Sequence, residues 1–148
     1  MKSYASLGQR AIAVIIDHVI LFIVTAILAM PLGLAMVPFA MGGVNPYDMF
    51  AMMSAWSSFA VLSFLIWILY FTYFEGTTGQ TLGKKALGIK VVKENGKKLD
   101  FVDAFIRNLL RLIDELPFVY IIGMVLIFVS QKKQRLGDLA ASTLVMKA

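Results

Sequence analysis

The chain has 148 residues, 59% of them hydrophobic and only 16% charged, with a formal net charge of +5. A soluble domain runs at about 45–50% apolar and about 25% charged, so this composition, with a mean hydropathy of +0.80, argues against a water-soluble fold and for one membrane domain. No cysteine is present, which excludes disulfides, thiolate metal sites and cysteine nucleophiles.

The first apolar run is Ala11 to Met30, preceded by Arg10 and ending at Pro31. Twenty residues of helix span about 30 Å, the thickness of a bilayer core. Asp17 and His18 interrupt the run and no small-residue cleavage site follows, so a helix over about 10–30 reads as a retained span rather than a signal peptide. Residues 31–49 contain Pro31, Gly33, Pro38, Gly42, Gly43, Asn45 and Pro46. These breakers predict an extracytoplasmic connection close to the membrane. Phe50 to Phe74 carries no charge and predicts a second span over about 50–74. Trp67, Tyr70, Tyr73 and Phe74 gather toward its end as an interfacial aromatic belt would. Ser54, Ser57, Ser58 and Ser63 read as packing residues rather than ligands.

Residues 76–100 form the main polar loop. Its segment from Gly79 to Lys85 faintly resembles a phosphate-binding loop, but Lys85 stands where Ser or Thr should bind magnesium, and no buried strand precedes it. Nucleotide binding is rejected. Ile89 to Lys93 is strand-like, and Asn95-Gly96 is a hairpin turn signal. Asp100 can cap a helix over about 101–115, in which Asp103, Arg107, Arg111 and Asp114 form a charged stripe on an apolar cylinder. A second short helix is expected over 117–130. In the tail, residues 131–148, Leu136-Gly137-Asp138-Leu139 reads as a turn. Thr143 to Met146 is strand-like and is expected to pair with Ile89 to Lys93.

The basic residues orient the chain. Lys84, Lys85, Lys90, Lys93, Lys97 and Lys98 share one loop, and Lys132, Lys133 and Arg135 another. Basic clusters beside apolar runs mark cytoplasmic loops and attract anionic lipid headgroups; nucleic acid is not an expected partner. Keeping both clusters inside requires an even number of crossings. Helices 101–115 and 117–130 would each be only about 22 Å long. They are therefore expected as a thin or partly re-entrant hairpin, the alternative being that 101–115 lies flat at the interface. The expected fold is thus an all-α integral membrane protein. It has two long transmembrane helices, a shorter helical hairpin, a small cytoplasmic sheet, and both termini in the cytoplasm of a cell-membrane protein.

Two charge spacings match: Arg10 precedes Asp17 by seven residues, and Arg107 precedes Asp114 by seven. Seven residues are about two helical turns, so each pair shares a face, separated by roughly 10 Å. Ionisable groups at membrane depth are costly and mark candidate sites. Asp17, Asp114 and Asp138 are the candidate ion- or ligand-binding groups, and Arg10, Arg107 and Arg111 the groups that pair with them or tune them. Asp17 needs a partner from another helix, with Arg107 and Arg111 as the candidates; the competing reading is a static ion pair that ties helices together. Arg10 reads as snorkelling to the interface, Asp138 as a turn cap or a site residue, and His18 as a modulator of protonation. No Ser–His–acid set, nucleophile elbow or metal-ligand spacing is present, so no catalytic residue, cofactor or metal is expected.

These residues resemble the RDD family of membrane proteins, named for one arginine and two aspartates. Arg10 stands where the family's arginine opens the first helix, Asp17 matches the aspartate within it, and Asp138 in Arg135-Leu136-Gly137-Asp138 matches the second. The stretches 79–84, 87–92 and 107–111 resemble the family as well. The resemblance implies transport, with cation–proton exchange suggested for some members, so monovalent cations and protons are the expected cargo. Four helices enclose little volume, so a homodimer is the expected assembly. The competing functional reading is a non-transporting membrane interaction protein whose charges lock the helix packing.

Overall fold

The structure is a computed structural model and describes residues 4–42, 45–114, 134 and 136–148. The described elements are α1 (Leu7–Gly42), α2 (Pro46–Thr78), α3 (Leu82–Ala86), β1 (Ile89–Lys93), α4 (Phe101–Asp114), α5 (Leu136–Ala140) and β2 (Thr143–Lys147). The expected helix over 117–130 lies outside the described residues. Two compact units result: Met1–Asp17 with Ile68–Ala148, and His18–Trp67.

Both long helices exceed their sequence-predicted limits, and the reasons are local. Ser6 and Gln9 form a reciprocal capping box: the Gln9 amide donates to Ser6 Oγ at 3.2 Å and the Ser6 amide to Gln9 Oε1 at 3.1 Å, which starts α1 at Leu7. At the other end α1 passes through Pro31 and runs to Gly42, 36 residues in all. Proline in such a helix forfeits one hydrogen bond, but ending the helix in apolar surroundings would orphan several backbone groups, and that is the larger penalty. Asn45 and Pro46 do not prolong a loop; they begin α2. The Asn45 side chain accepts from the Tyr47 and Asp48 amides at 2.9 and 3.0 Å, and proline at the first helical position loses a donor that would be unpaired anyway. Gly79, with φ of 73°, ends α2 in the left-handed conformation that glycine adopts without strain.

The unit His18–Trp67 is made of the apolar lengths of α1 and α2. Its only charge besides His18 is Asp48, and large apolar side chains such as Phe22, Ile27 and Phe50 stand more than 60% exposed. Soluble proteins rarely bare such surface in contiguous patches, whereas lipid is its natural solvent. By length and composition α1 and α2 are both able to cross a membrane. The hydroxyls of Ser54, Ser57, Ser58 and Ser63 bond carbonyls of their own helix at 2.8–2.9 Å, which satisfies them in an apolar medium without a partner helix.

The other unit is built on a two-stranded antiparallel sheet, with Val91 opposite Val145 and Lys93 opposite Thr143. The pairing expected from sequence therefore forms, while the Asn95-Gly96 turn leads to no second paired strand: β1 finds its partner near the chain's end. The N-terminal segment joins the same sheet through a Tyr4–Met146 bridge and an Ala5 amide bond to the Val145 carbonyl at 3.0 Å. Ala5, Ala13, Ile89, Val91, Leu99, Ala104 and Val145 make the apolar core. Asp100 caps α4, accepting from the Asp103 amide at 2.8 Å. Within this unit α4 is inside out: Arg107, Asn108 and Arg111 are buried, while Phe101, Val102, Phe105, Ile106 and Leu109 are exposed.

Candidate functional site

Asp17 lies on α1 almost three turns from its start and is fully buried. Its carboxylate accepts from the Tyr70 hydroxyl at 2.8 Å, the Thr81 hydroxyl at 2.5 Å and the Gly83 amide at 2.7 Å. These donors come from the end of α2 and the start of α3. Thr81 also caps α3, accepting from the Lys84 amide at 3.3 Å. The segment that faintly resembles a phosphate loop thus closes its amide and hydroxyl donors on an internal carboxylate, which supplies the anion itself. Gly83 is the residue that permits this approach. A Cβ there would lie 3.0 Å from Asp17 Cγ and nearer still to the Ala13 carbonyl oxygen.

A second group of charges runs beside this ring. Arg10 Nη1 lies 3.3 Å from Asp138 Oδ2, and Arg107 Nη2 lies 2.9 Å from Asp138 Oδ1. Arg107 Nε lies 3.4 Å from Glu75 Oε2, and Lys84 pairs with Glu75 Oε1. Asn108 donates to Glu75 at 3.5 Å and to the Ala104 carbonyl at 2.8 Å. Arg111 sits over the Phe71 ring, 4.2 Å from its centroid, a cation–π contact that shields a buried guanidinium. None of these charged residues is more than 9% exposed.

Helical spacing explains the assembly. Phe71 and Glu75 are four apart on α2, and Arg107 and Arg111 four apart on α4, so each pair shares a face. Gly137 lets α5 close on α4: a Cβ there would stand 2.7 Å from the Arg107 carbonyl oxygen. That contact delivers Asp138 to Arg107. Beside the cluster is a cavity of about 30 Å³, with Arg10, Lys84, Arg107, Arg111 and Asp138 in its lining. Burial pushes the Lys84 ammonium down to about 8, with Glu75 holding it up against that and Arg107 and Arg111 adding to the fall.

Of the residues singled out from sequence, Arg10, Arg107 and Asp138 meet in one run of ion pairs, and Arg111 lines the same cavity. Arg10 does not snorkel; it is 4% exposed and bonds the Val145 carbonyl at 3.4 Å in addition to Asp138. Asp17 is met by two hydroxyls and an amide, while Arg107 turns to Asp138 and Glu75, whose carboxylates meet the planar fork of its guanidinium. Asp114 is the last residue of α4 and its side chain lies outside the described residues. Sequence reasoning missed Glu75, Lys84, Tyr70, Thr81 and Asn108. Glu75 had a signal: it is the first charge after the uncharged run of the second span, a position where an ionisable group asks for a partner. Lys84 was hidden among the basic residues of its loop.

No curated protein matches the chain, and no solved structure does. The model of the RDD family matches residues 4–142. That range takes in both long helices, the Asp17 ring and the Arg10–Asp138 pair, and the chain belongs to the RDD family.

Proposed function

We propose that this chain is a small cell-membrane transport protein that exchanges protons for an ion through the cluster of Arg10, Glu75, Lys84, Arg107 and Asp138. The observation that supports the reading is the burial of five mutually paired charges against a cavity large enough for water. Packing alone does not ask for them, because apolar residues of similar volume hold helices as well as or better than buried ion pairs. A proton leaving Lys84 turns the ammonium into a neutral amine without moving the chain, while the Glu75 carboxylate stays held by Arg107. With the ammonium drawn down to about 8, that release falls within reach of physiological pH. Arg107 remains bound to Asp138, and the Glu75 carboxylate that loses its ammonium partner is available to an incoming cation.

The exposed Lys85, Lys90, Lys97 and Lys98 support a cytoplasmic position for this unit and for both termini. The bared apolar face of α4 supports contact with the lipid of the same leaflet. A homodimer is the assembly proposed, as in the reading of the sequence. Family resemblance implies a monovalent cation as the exchanged ion.

The test is flux. Purified full-length protein in liposomes loaded with a pH-sensitive dye is expected to move protons when an ion gradient is imposed. The Glu75→Gln/Lys84→Met double variant is expected to be silent while melting as a folded protein in detergent. Wild-type protein no more active than empty liposomes refutes transport. The second reading, a non-transporting interaction protein with charge-locked packing, is favoured by the closed ring of donors around Asp17 and predicts that silence.

A further inference from the structure

Helix α4 is held to the last turns of α2 by a graded set of contacts. The Phe101 ring lies against Gly76, where a Cβ would come within 2.8 Å of it. Arg107 and Asn108 both reach Glu75, and Arg111 lies over the Phe71 ring. From Phe101 to Arg111 α4 advances about 15 Å, while its contacts step back along α2 from Gly76 to Phe71, about 7.5 Å. Half of the rise of α4 is thus directed back along α2, an inclination of about 60° between the two axes. A helix lying flat across the end of α2 would keep to one level, and an antiparallel hairpin partner would step back the full length of about 15 Å. The two faces of α4 are regular as well. Ala104, Arg107, Asn108 and Arg111 are buried, while Val102, Phe105, Ile106 and Leu109 are exposed, each set recurring at helical spacing. On either side of Phe71, where the descent ends, α2 itself bares Leu69 and Tyr73. Two neighbouring helices therefore show apolar surface at one level, and hydrocarbon suits both better than water. The start of α4 differs. Exposed Lys97 and Lys98 precede it, Asp100 caps it, and Lys93 pairs with Asp100 and Asp103; such groups belong at headgroup level.

We infer that α4 enters the cytoplasmic leaflet obliquely, with its start among the headgroups and Leu109 among the acyl chains. The occupant of its apolar face is the hydrocarbon of the bilayer, and lipid thereby covers the outer side of the helix that carries Arg107 and Arg111 into the charged site. This placement rests on the reading that α2 crosses the membrane with its end at the cytoplasmic side. It is independent of whether the chain transports anything.

The chain has no cysteine, so single spin labels need no background substitutions. Val102→Cys, Phe105→Cys, Ile106→Cys and Leu109→Cys are labelled in full-length protein in phosphatidylcholine liposomes, with Lys97→Cys as the aqueous reference and Leu69→Cys as the lipid one. Accessibility to oxygen against a water-soluble nickel complex reads depth. All four labels are expected to favour oxygen, with Leu109 about 5 Å deeper than Val102, half of the distance of about 10.5 Å between them along the helix. Equal depths overturn oblique entry in favour of a flat helix, and a difference of about 10 Å overturns it in favour of an upright pass. Nickel access as high as at Lys97 puts the face in water and overturns the placement. Shielding from both reagents puts protein on the face and overturns it too; spin–spin broadening that vanishes on dilution with unlabelled protein then identifies a second copy, and its absence residues 115–133 of the same chain. A Leu69 label in water refutes the crossing by α2 itself, which separates that failure from the failure of α4 alone. Wild-type protein supplies the arm that no misfolded variant can spoil. Phosphatidylcholine with a photoactivatable diazirine in its acyl chain is expected to leave adducts on Phe105, Ile106 and Leu109 and none on Ala104, Arg107 or Asn108. Adducts on Leu69 with none on α4 overturn the inference.

Discussion

Removing the Asp17 carboxylate tests the reading that it organises the turn between α2 and α3. Three donors converge on it: Tyr70 and Gly83 on Oδ1 at 2.8 and 2.7 Å, and Thr81 on Oδ2 at 2.5 Å. Asp17→Asn keeps one oxygen, which can hold the Tyr70 and Gly83 bonds, and puts an amide NH₂ against Thr81. The Thr81 hydroxyl must then turn to accept, while still accepting from the Lys84 amide. All three bonds lose their charge assistance, a loss of about 1–3 kcal/mol once the lower cost of burying a neutral amide is set against it. Asp17→Ala removes every acceptor and leaves three inward-facing donors at about 1–3 kcal/mol each. The sum, about 3–9 kcal/mol, rivals the whole stability of a domain, about 5–15 kcal/mol. Reversible unfolding in mixed micelles, followed by circular dichroism, measures both. The expected order is wild type, then Asn, then Ala, with the Ala variant largely unfolded or unrecoverable. An Ala variant within about 1 kcal/mol of wild type, or an Asn variant worse than Ala, would refute the account of Asp17 as a hub of bonds.

Other outcomes follow from the same geometry. Gly83→Ala and Gly137→Ala press a methyl group onto the backbone of α1 and α4 respectively and are expected to cost at least about 1–3 kcal/mol each. Gly33→Ala meets nothing within 4 Å and is expected to be neutral or to stabilise by about 0.5–1 kcal/mol; the same micelle titration reads all three. Glu75→Gln or Lys84→Met alone strands a buried charge and is expected to cost about 3–5 kcal/mol, while the double variant costs less than either single, the signature a double-mutant cycle detects. The Lys84 ammonium titrates at about 8 in the folded chain against an ordinary 10.5. Between those values the unfolded chain holds more protons, so this residue's contribution to stability grows with pH over that window. Melting temperatures of wild type minus those of Lys84→Met are expected to rise from pH 8 to pH 10; a flat difference contradicts the depressed value.

Much of the architecture was legible because its causes are local. The two apolar runs, the Asp100 cap and the strand patterns of residues 89–93 and 143–146 act through nearest neighbours and through period. Helix ends were less legible: Pro31 and Pro46 look alike as breakers, yet one is absorbed in mid-helix and the other opens α2, and the difference lies in Asn45 being placed to cap. The charged site was half visible. Arg10, Asp17, Arg107 and Asp138 stand out as ionisable groups in or beside greasy sequence, but their pairing does not follow from a spacing of seven on one helix. It depends on Gly83 and Gly137, whose missing side chains let distant backbones approach. Two hydroxyls and an amide can hold a buried carboxylate by hydrogen bonds in place of an arginine, and nothing in the sequence marks Tyr70 or Thr81 for that task.

The wiring also constrains how the chain matures. Arg10 and Asp138 are 128 residues apart, and the sheet that frames them needs Thr143–Lys147. Neither the Arg10 pair nor the β1–β2 ladder can form before residues 138–147 have been made. Until then Arg10 and Glu75, in or beside apolar helices, lack Asp138 and the fully assembled Arg107. An unpaired charge in such a helix costs about 2.5–3.5 kcal/mol at its centre and less near its ends. The positions obey that limit: Arg10 is in the first turn of α1 and Glu75 in the last of α2, where water can still reach them during insertion. The cluster is thus built from charges that can be inserted singly at low cost and are buried only when the tail arrives. Deleting residues 136–148 is accordingly expected to leave a chain that still inserts in membranes but shows proteolytic cleavage in the 79–100 loop at rates well above wild type. Equal protection with and without residues 136–148 would mean that the cluster does not depend on Asp138.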